Sequence, residues 1–315
     1  MSQSEFNFPV EQLPRIELTS GAGVCYLERD GARLAYDFEL PQAGQSAGQL
    51  LILVNGFARP RTDFRAFRKR LHSQMPNLAT LALDNRGAGD SEGGTANLTV
   101  RVMALDACFL AQSSARQLGL DTYHALGISM GGMICQDWAA GDPRMAALTL
   151  VSTTPGGEAR VWPQGVDPEQ ARQKPFEAWP LDAEAMHRRM VRYFGPKFRK
   201  SSPLLIDMMV KNMLKSHTLP INQGRAKAQY DATVGFDGTP LLGKIRCPTL
   251  VLTGSDDEVI PPGNSDALCR LISGAKKVVF PEMGHLLLIE DPENFVAHVR
   301  SFLESLHDEA GGSHR

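Results

Sequence analysis

Gly127-Ile128-Ser129-Met130-Gly131 follows the apolar stretch Tyr123-His124-Ala125-Leu126 and precedes Gly132. In a G-x-S-x-G run a serine sits on a sharp strand-to-helix turn, with glycine where any Cβ would collide with the neighbouring strand and helix. The flanking segments have the required order. Residues 122–128 (TYHALGI) are short, mostly apolar and without a helical period, which suits a buried parallel strand. Residues 130–140 (MGGMICQDWAA) predict a helix, closed by Gly141-Asp142-Pro143. Ser129 is therefore a candidate nucleophile. A serine hydroxyl attacks poorly unless a base takes its proton, so a histidine and a carboxylate to orient it are needed.

Both occur downstream. Residues 248–253 (PTLVLT) predict a strand that runs into the polar loop 254–262 (GSDDEVIPP), where Asp256, Asp257 and Glu258 are adjacent. Lys277-Val278-Val279-Phe280 predicts another strand, followed by Pro281-Glu282-Met283-Gly284-His285 and a helix from about Asp291 to Leu306. His285 stands in a loop after a strand. His124 lies in the strand that feeds the serine turn and reads as packed, and His72, His187, His217, His298, His307 and His314 fall in helices or the tail. The end of the intervening strand, Ser152-Thr153-Thr154, offers no carboxylate. The chain order is serine, acid, histidine.

These segments, with two more, resemble the α/β-hydrolase superfamily over roughly Gly23 to Leu306. Residues 51–57 (LILVNGF) look like that family's strand and oxyanion loop, and residues 84–91 (DNRGAGDS) like its D-x-R-G-x-G-x-S turn. The acid segment looks like G-x-x-D-x-x-x-P, which selects Asp257 from its distance to Gly254 and Pro261. Gly284-His285 with Glu290-Asp291-Pro292-Glu293 matches the histidine loop and helix start. The resemblance implies a mostly parallel eight-stranded sheet with helices on both faces and an inserted helical lid. It also implies a triad of Ser129, Asp257 and His285, and an oxyanion hole built from the backbone N–H groups of Phe57 and Met130. Asn55 stands where most relatives carry a histidine that braces the oxyanion loop, a task an asparagine can perform by hydrogen bonding.

The expected organisation is an irregular lead-in over 1–22, an α/β core over 23–154 and 239–306, a helical lid over 155–238 and a tail over 307–315. The core opens with a hairpin around Asp30-Gly31, and alternating strands and helices then imply a sheet whose site lies at the carboxyl ends of its strands. Within the lid, a helix over 182–194 places Met186, Met190 and Phe194 on one side. Another, opened by Pro203, is expected to turn Leu205, Met208, Met209 and Met213 inward. Met186, Met190 and Met209 are read either as walls of an acyl pocket or as glue between lid and core. Arg61 is expected to touch substrate. It belongs to a basic run, Arg59, Arg61, Arg65, Arg68, Lys69 and Arg70, around Asp63, with Phe64, Phe67 and Leu71 as the inward face. A second basic run, Arg188, Arg189, Arg192, Lys197, Arg199 and Lys200, lies in the lid. If both runs flank one entrance they favour an anionic acyl group, a coenzyme A thioester or an acidic carrier; the plainer reading is two solvated helix faces.

With 43% hydrophobic and 22% charged residues and a formal net charge of -2, the 315-residue chain has the composition of a globular enzyme and no global affinity for nucleic acid or membranes. Its five cysteines are widely spaced and form no C-x-x-C pair, which speaks against a disulfide framework or a zinc site. No apolar run approaches the ~18 residues of a membrane span, and the first residues lack the pattern of a signal peptide. A cytoplasmic enzyme without cofactor or metal is expected, acting on a small-molecule acyl substrate. The reading preferred is a carboxylic ester or thioester hydrolase working through an acyl-enzyme. Enol-lactonase, cofactor-free perhydrolase, acyltransferase and carbon–carbon bond hydrolase are alternatives on the same triad, and a non-enzymatic ligand-binding protein is the alternative of a different class.

Overall fold

The computed structural model describes residues 3–18, 23–42, 45–179, 182–217 and 220–311. Nine strands form one sheet: β1 (Cys25–Arg29), β2 (Ala32–Glu39), β3 (Gln49–Val54), β4 (Leu78–Leu83), β5 (Glu92–Gly93), β6 (Tyr123–Ile128), β7 (Met145–Val151), β8 (Thr249–Gly254) and β9 (Lys276–Phe280). The eight expected strands make a continuous path, β1-β2-β4-β3-β6-β7-β8-β9. The ninth, β5, has only two residues and pairs with β2, too short to leave an alternating pattern. Pairing is antiparallel from β1 to β4 and parallel from there on. Asp30 and Gly31, both with positive φ, make the two-residue turn of the β1–β2 hairpin.

Helices α1 (Arg65–Gln74), α2 (Val100–Leu118) and α3 (Met130–Ala139) follow β3, β5 and β6. After β7 come α4 (Pro168–Gln173), α5 (Ala183–Val191), α6 (Pro196–Ser201), α7 (Pro203–His217), α8 (Pro220–Val234) and α9 (Thr239–Leu242). Helix α10 (Gly263–Leu271) joins β8 to β9, and α11 (Leu287–Glu290) and α12 (Pro292–Gly311) end the described chain. The expected C-terminal helix thus runs beyond Leu306, and residues 312–315 of the expected tail lie outside the described residues.

Strand β3 shows how the sheet is covered. Its side chains alternate, so Leu50, Ile52 and Val54 join a core cluster with α2 and α3, while Leu51 and Leu53 join another with α1 and α12. Full burial of both faces explains why this strand is a continuous apolar run. The lead-in is more ordered than expected. Phe6 is buried against the α2–α3 face, where its carbonyl accepts a hydrogen bond from Gln112 Nε2 at 2.6 Å; residues 19–22 lie outside the described residues.

Helices α5 to α8 build a third apolar cluster from Met186, Met190, Phe194, Phe198, Ile206, Val210 and Met213. The inward face of α7 differs from the expected one. Ile206, Val210 and Met213 are buried, whereas Leu205 and Met208 are exposed. Counting methionines alone misphased this helix, because it is apolar on several sides and burial is decided by where α5 packs.

Candidate active site

Ser129 connects β6 to α3 with φ 56° and ψ -117°, a conformation that L side chains rarely adopt. The glycines around it are sterically required. A Cβ at Gly127 would overlap the Gly131 carbonyl, and one at Gly131 would overlap the Val54 carbonyl on the adjacent strand. Thr153 at the end of β7 donates its hydroxyl to the Ser129 carbonyl at 2.7 Å, holding the turn from the other side.

His285 follows β9 and is buried, with its backbone N–H donating to the Tyr193 carbonyl at 2.8 Å. Its Nδ1 lies 2.8 Å from Asp257 Oδ2. The other oxygen of Asp257 accepts the N–H groups of Val259 and Ile260, each at 2.8 Å, so the carboxylate is fixed by its own loop. Asp256 differs from its neighbour: it is exposed and bonded to Ser255. The loops carrying Asp257 and His285 meet closely, since a Cβ at Gly254 would overlap the backbone of Met283 and Gly284. Glu290 ties the same region to the α5–α6 connection, accepting the N–H of Gly195 at 2.7 Å and that of Gly284 at 3.0 Å. Burial raises the Glu290 pKa, and these N–H groups oppose the shift.

Ser129 and His285 line one cavity of about 210 Å³, together with Phe57, Met130, Trp179 and Met190. The Met130 N–H belongs to the first turn of α3, where no intrahelical acceptor exists. Phe57 follows Gly56, whose Cα faces Ser129 closely enough that an added Cβ would lie 3.3 Å from the serine Cβ. Asn55 holds this loop as expected of a brace. Its Oδ1 accepts the Gly56 N–H at 2.8 Å, and its Nδ2 donates to the Pro60 carbonyl at 2.8 Å and to Asp63 at 3.2 Å.

Three of the residues expected at the substrate lie elsewhere. Met190 lines the cavity, but Met186 is fully buried in the cluster of α5 to α8, and half-buried Met209 packs against that cluster. Arg61 is also buried, and its guanidinium contacts Asp37 at 2.9 Å, Asp84 at 2.5 Å and Asp90 at 2.8 Å. Burial disfavours its charge, but Asp84, Asp90 and Asp37 overcome that cost and hold its pKa above the ordinary range. Arg61 is a structural cation, and Arg59 is the arginine of this run that reaches the cavity. Arg68 is likewise buried, against Thr80, so the run is not one outward basic face. In the second run Arg199 pairs with Glu258 at 2.6 Å, and Arg189 stands over the Trp179 ring at 4.0 Å.

The Asp84 carboxylate is fully buried, and among the described residues Arg61 is its ion-pair partner. Arg61→Met should lower the unfolding free energy by about 3–5 kcal/mol in urea denaturation, because it strands a buried carboxylate. A loss under about 1 kcal/mol would show that water already compensates that charge.

A sequence model of the alpha/beta hydrolase fold family matches residues 49–292. The chain belongs to the alpha/beta hydrolase fold family. Among its relatives, 3-oxoadipate enol-lactonase 2 of Acinetobacter baylyi is 26% identical over 255 residues, covering 80% of this chain and 87% of that one. Polyketide synthase ThaQ of Burkholderia thailandensis is 28% identical over 93% of this chain, which spans only 14% of that protein's length. Of solved structures, a thermophilic esterase from Thermogutta terrifontis superposes with a TM-score of 0.67 at 26% identity, covering 91% of this chain and 100% of that one. Among the described residues, no helix is long and apolar enough to cross a membrane.

The sequence reading missed Gln229, on α8. It is fully buried, accepts the Ala58 N–H at 2.7 Å and donates to the Arg86 carbonyl at 2.7 Å, so α8 braces the loop that carries Phe57. It also missed Trp179 and Tyr193 in the cavity wall. Nothing local marks these residues, since each meets its partners across long sequence separations.

Proposed function

We propose that this alpha/beta hydrolase cleaves a carboxylic ester through an acyl-enzyme. The observation that carries the reading is the buried Asp257–His285 pair, opening onto the same cavity as a serine held in a strained turn. Ser129 Oγ attacks the ester carbonyl carbon while His285 Nε2 takes its proton, and Asp257 holds the imidazole with Nδ1 protonated. The carbonyl oxygen becomes an oxyanion facing the N–H groups of Phe57 and Met130. As the intermediate collapses, His285 returns the proton to the departing alkoxide, leaving an alcohol and acylated Ser129. Water, activated by the same histidine, then releases the acid and restores the serine. Helices α4 to α8 act as a lid that walls the acyl site with Trp179, Met190 and Met213. The 26% identity to an esterase with full coverage of that chain supports ester over other acyl substrates. The enol-lactonase relative favours one second reading, a cyclic ester opened by the same steps.

The purified chain should react stoichiometrically with a fluorophosphonate at Ser129, read by intact mass and peptide mapping. Within a panel of short-chain esters, thioesters and lactones, the open-chain esters should be the fastest. Absence of labelling would remove the serine mechanism, and a lactone turned over faster than every ester would replace the first reading with the second.

A further inference from the structure

Two arginines, Arg59 and Arg160, reach the wall of the cavity that contains Ser129 and His285. Their electrostatic settings differ. Arg59 Nε donates to Asp63 Oδ2 at 2.7 Å, and Asp63 lines the same cavity, so this pair adds no net charge to it. Among the described residues, no carboxylate forms an ion pair with Arg160. The Arg160 guanidinium instead lies 3.9 Å from the centre of the Trp162 ring. The titratable groups that act on it are Tyr230 and Arg172. Arg172 has the same sign of charge and its own acid partner, Glu158, at 3.1 Å.

Arg160 is half-buried, and the cost of this partial burial without a counter-charge is the principal force lowering its pKa. That cost falls when an anion enters. The backbone beside Arg160 is already fixed: Val161 N–H donates to Asn264 Oδ1 at 2.9 Å, and Asn264 Nδ2 donates back to the Val161 carbonyl at 2.7 Å. Asn264 is itself buried at the start of α10, directly after the loop that carries Asp257. A guanidinium on a pre-ordered segment binds a carboxylate with little further loss of conformational freedom, and its planar fork matches both carboxylate oxygens. The surrounding wall is apolar, with Trp179, Met190, Met213 and Ile289, and suits a hydrocarbon spacer better than a second charge.

We propose that Arg160 is a specificity-determining residue and that the preferred substrate is an ester bearing a free carboxylate remote from the scissile bond. This rests on the ester-hydrolase reading above. The guanidinium binds the remote carboxylate while the apolar wall takes the carbons between it and the ester group. The carboxylate belongs to either the acyl or the alcohol part, and the two are separable by choice of substrate.

The test uses the full chain. On the acyl side, monomethyl succinate, adipate and suberate are compared with their neutral dimethyl esters. On the alcohol side, butanoyl glycolate and its longer homologues are compared with their methyl esters. In at least one arm kcat/KM should favour the anion by about 10- to 100-fold, and Arg160→Met should bring that ratio close to unity. Equal or better turnover of the neutral esters in both arms would overturn the proposal, as would a preference that survives the substitution. Calorimetric titration of wild-type protein with hexanoate and with neutral hexanamide reads the same site without ester turnover and without a variant that has to fold. Hexanoate should bind about tenfold more tightly or better, and equal affinities would overturn the assignment of Arg160. Failure of every ester, neutral ones included, would instead sink the hydrolase reading, and the calorimetric comparison would still decide the anion site.

Discussion

Ser129→Ala and His285→Ala should each lower kcat for the best ester by about 10⁴- to 10⁶-fold, and the double variant should lose little more than either single one. Neither group works alone in the proposed mechanism: the hydroxyl needs a base, and the imidazole has no other proton to take. Once one is gone, what remains is binding and the field of the Phe57 and Met130 N–H groups, which the second substitution leaves in place. The cavity walls that set substrate affinity also remain, so KM should move far less than kcat. Steady-state kinetics on the three variants checks this. Losses that multiply in the double variant would mean that the two side chains act independently, and the shared role would have to be abandoned.

Asp257→Asn is expected to reduce kcat by about 10³- to 10⁴-fold, with Asp256→Asn within about tenfold of wild type. The contrast follows from geometry. Asp257 is buried, offers Oδ2 to His285 Nδ1 at 2.8 Å and keeps Oδ1 occupied by the N–H groups of Val259 and Ile260. In Asp257→Asn the amide cannot accept at both ends. If its oxygen stays with the loop, its NH₂ faces Nδ1 and enforces the tautomer in which Nε2 carries the proton and can no longer act as a base. Asp256 is exposed and bonded to Ser255, so its amide changes a solvated contact at the surface. A pH–rate profile accompanying the kinetics separates loss of the base from loss of fold: folded Asp257→Asn protein should lack the neutral-pH rise in kcat/KM. The opposite ranking of the two variants would transfer the orienting role to Asp256.

The parts of this protein readable from the chain are those whose physical cause is local. Residues 123–131 announce a strand, a turn and a helix because burial on both faces demands an apolar strand and close backbone contacts demand glycine, and both requirements are met within a few residues. The hairpin at Asp30-Gly31 and the brace by Asn55 were legible for the same reason: the turn chemistry and the hydrogen-bonding side chain lie next to the backbone they serve. The resemblance to the family's G-x-x-D-x-x-x-P segment selected Asp257, and in the structure the loop's own N–H groups at Val259 and Ile260 bond to its Oδ1.

Charge and burial on helices were less readable. Arg61 and Arg68 have the composition of a solvated face, yet both are buried, because carboxylates and hydroxyls from β2, β4 and the segment after β4 surround them. A formal count of charges along residues 59–70 contains no record of Asp37 or Asp84 lying opposite Arg61. The inward side of α7 was misread for a related reason: a helix apolar on several sides takes its phase from the neighbour it packs against, here α5.

By itself, then, the sequence determined the fold family and the order of the eight long strands and of the helices after β3, β5, β6 and β9, since each leaves its requirement within a short window. Tertiary structure alone decided that α8 reaches across to the loop that carries Phe57 through Gln229, that Met186 and Met209 stay in the cluster of α5 to α8, and that Arg160 reaches the cavity wall without a carboxylate partner among the described residues. Those contacts join residues far apart in the chain, and their energies depend on burial and on the opposite wall, neither of which a local pattern encodes.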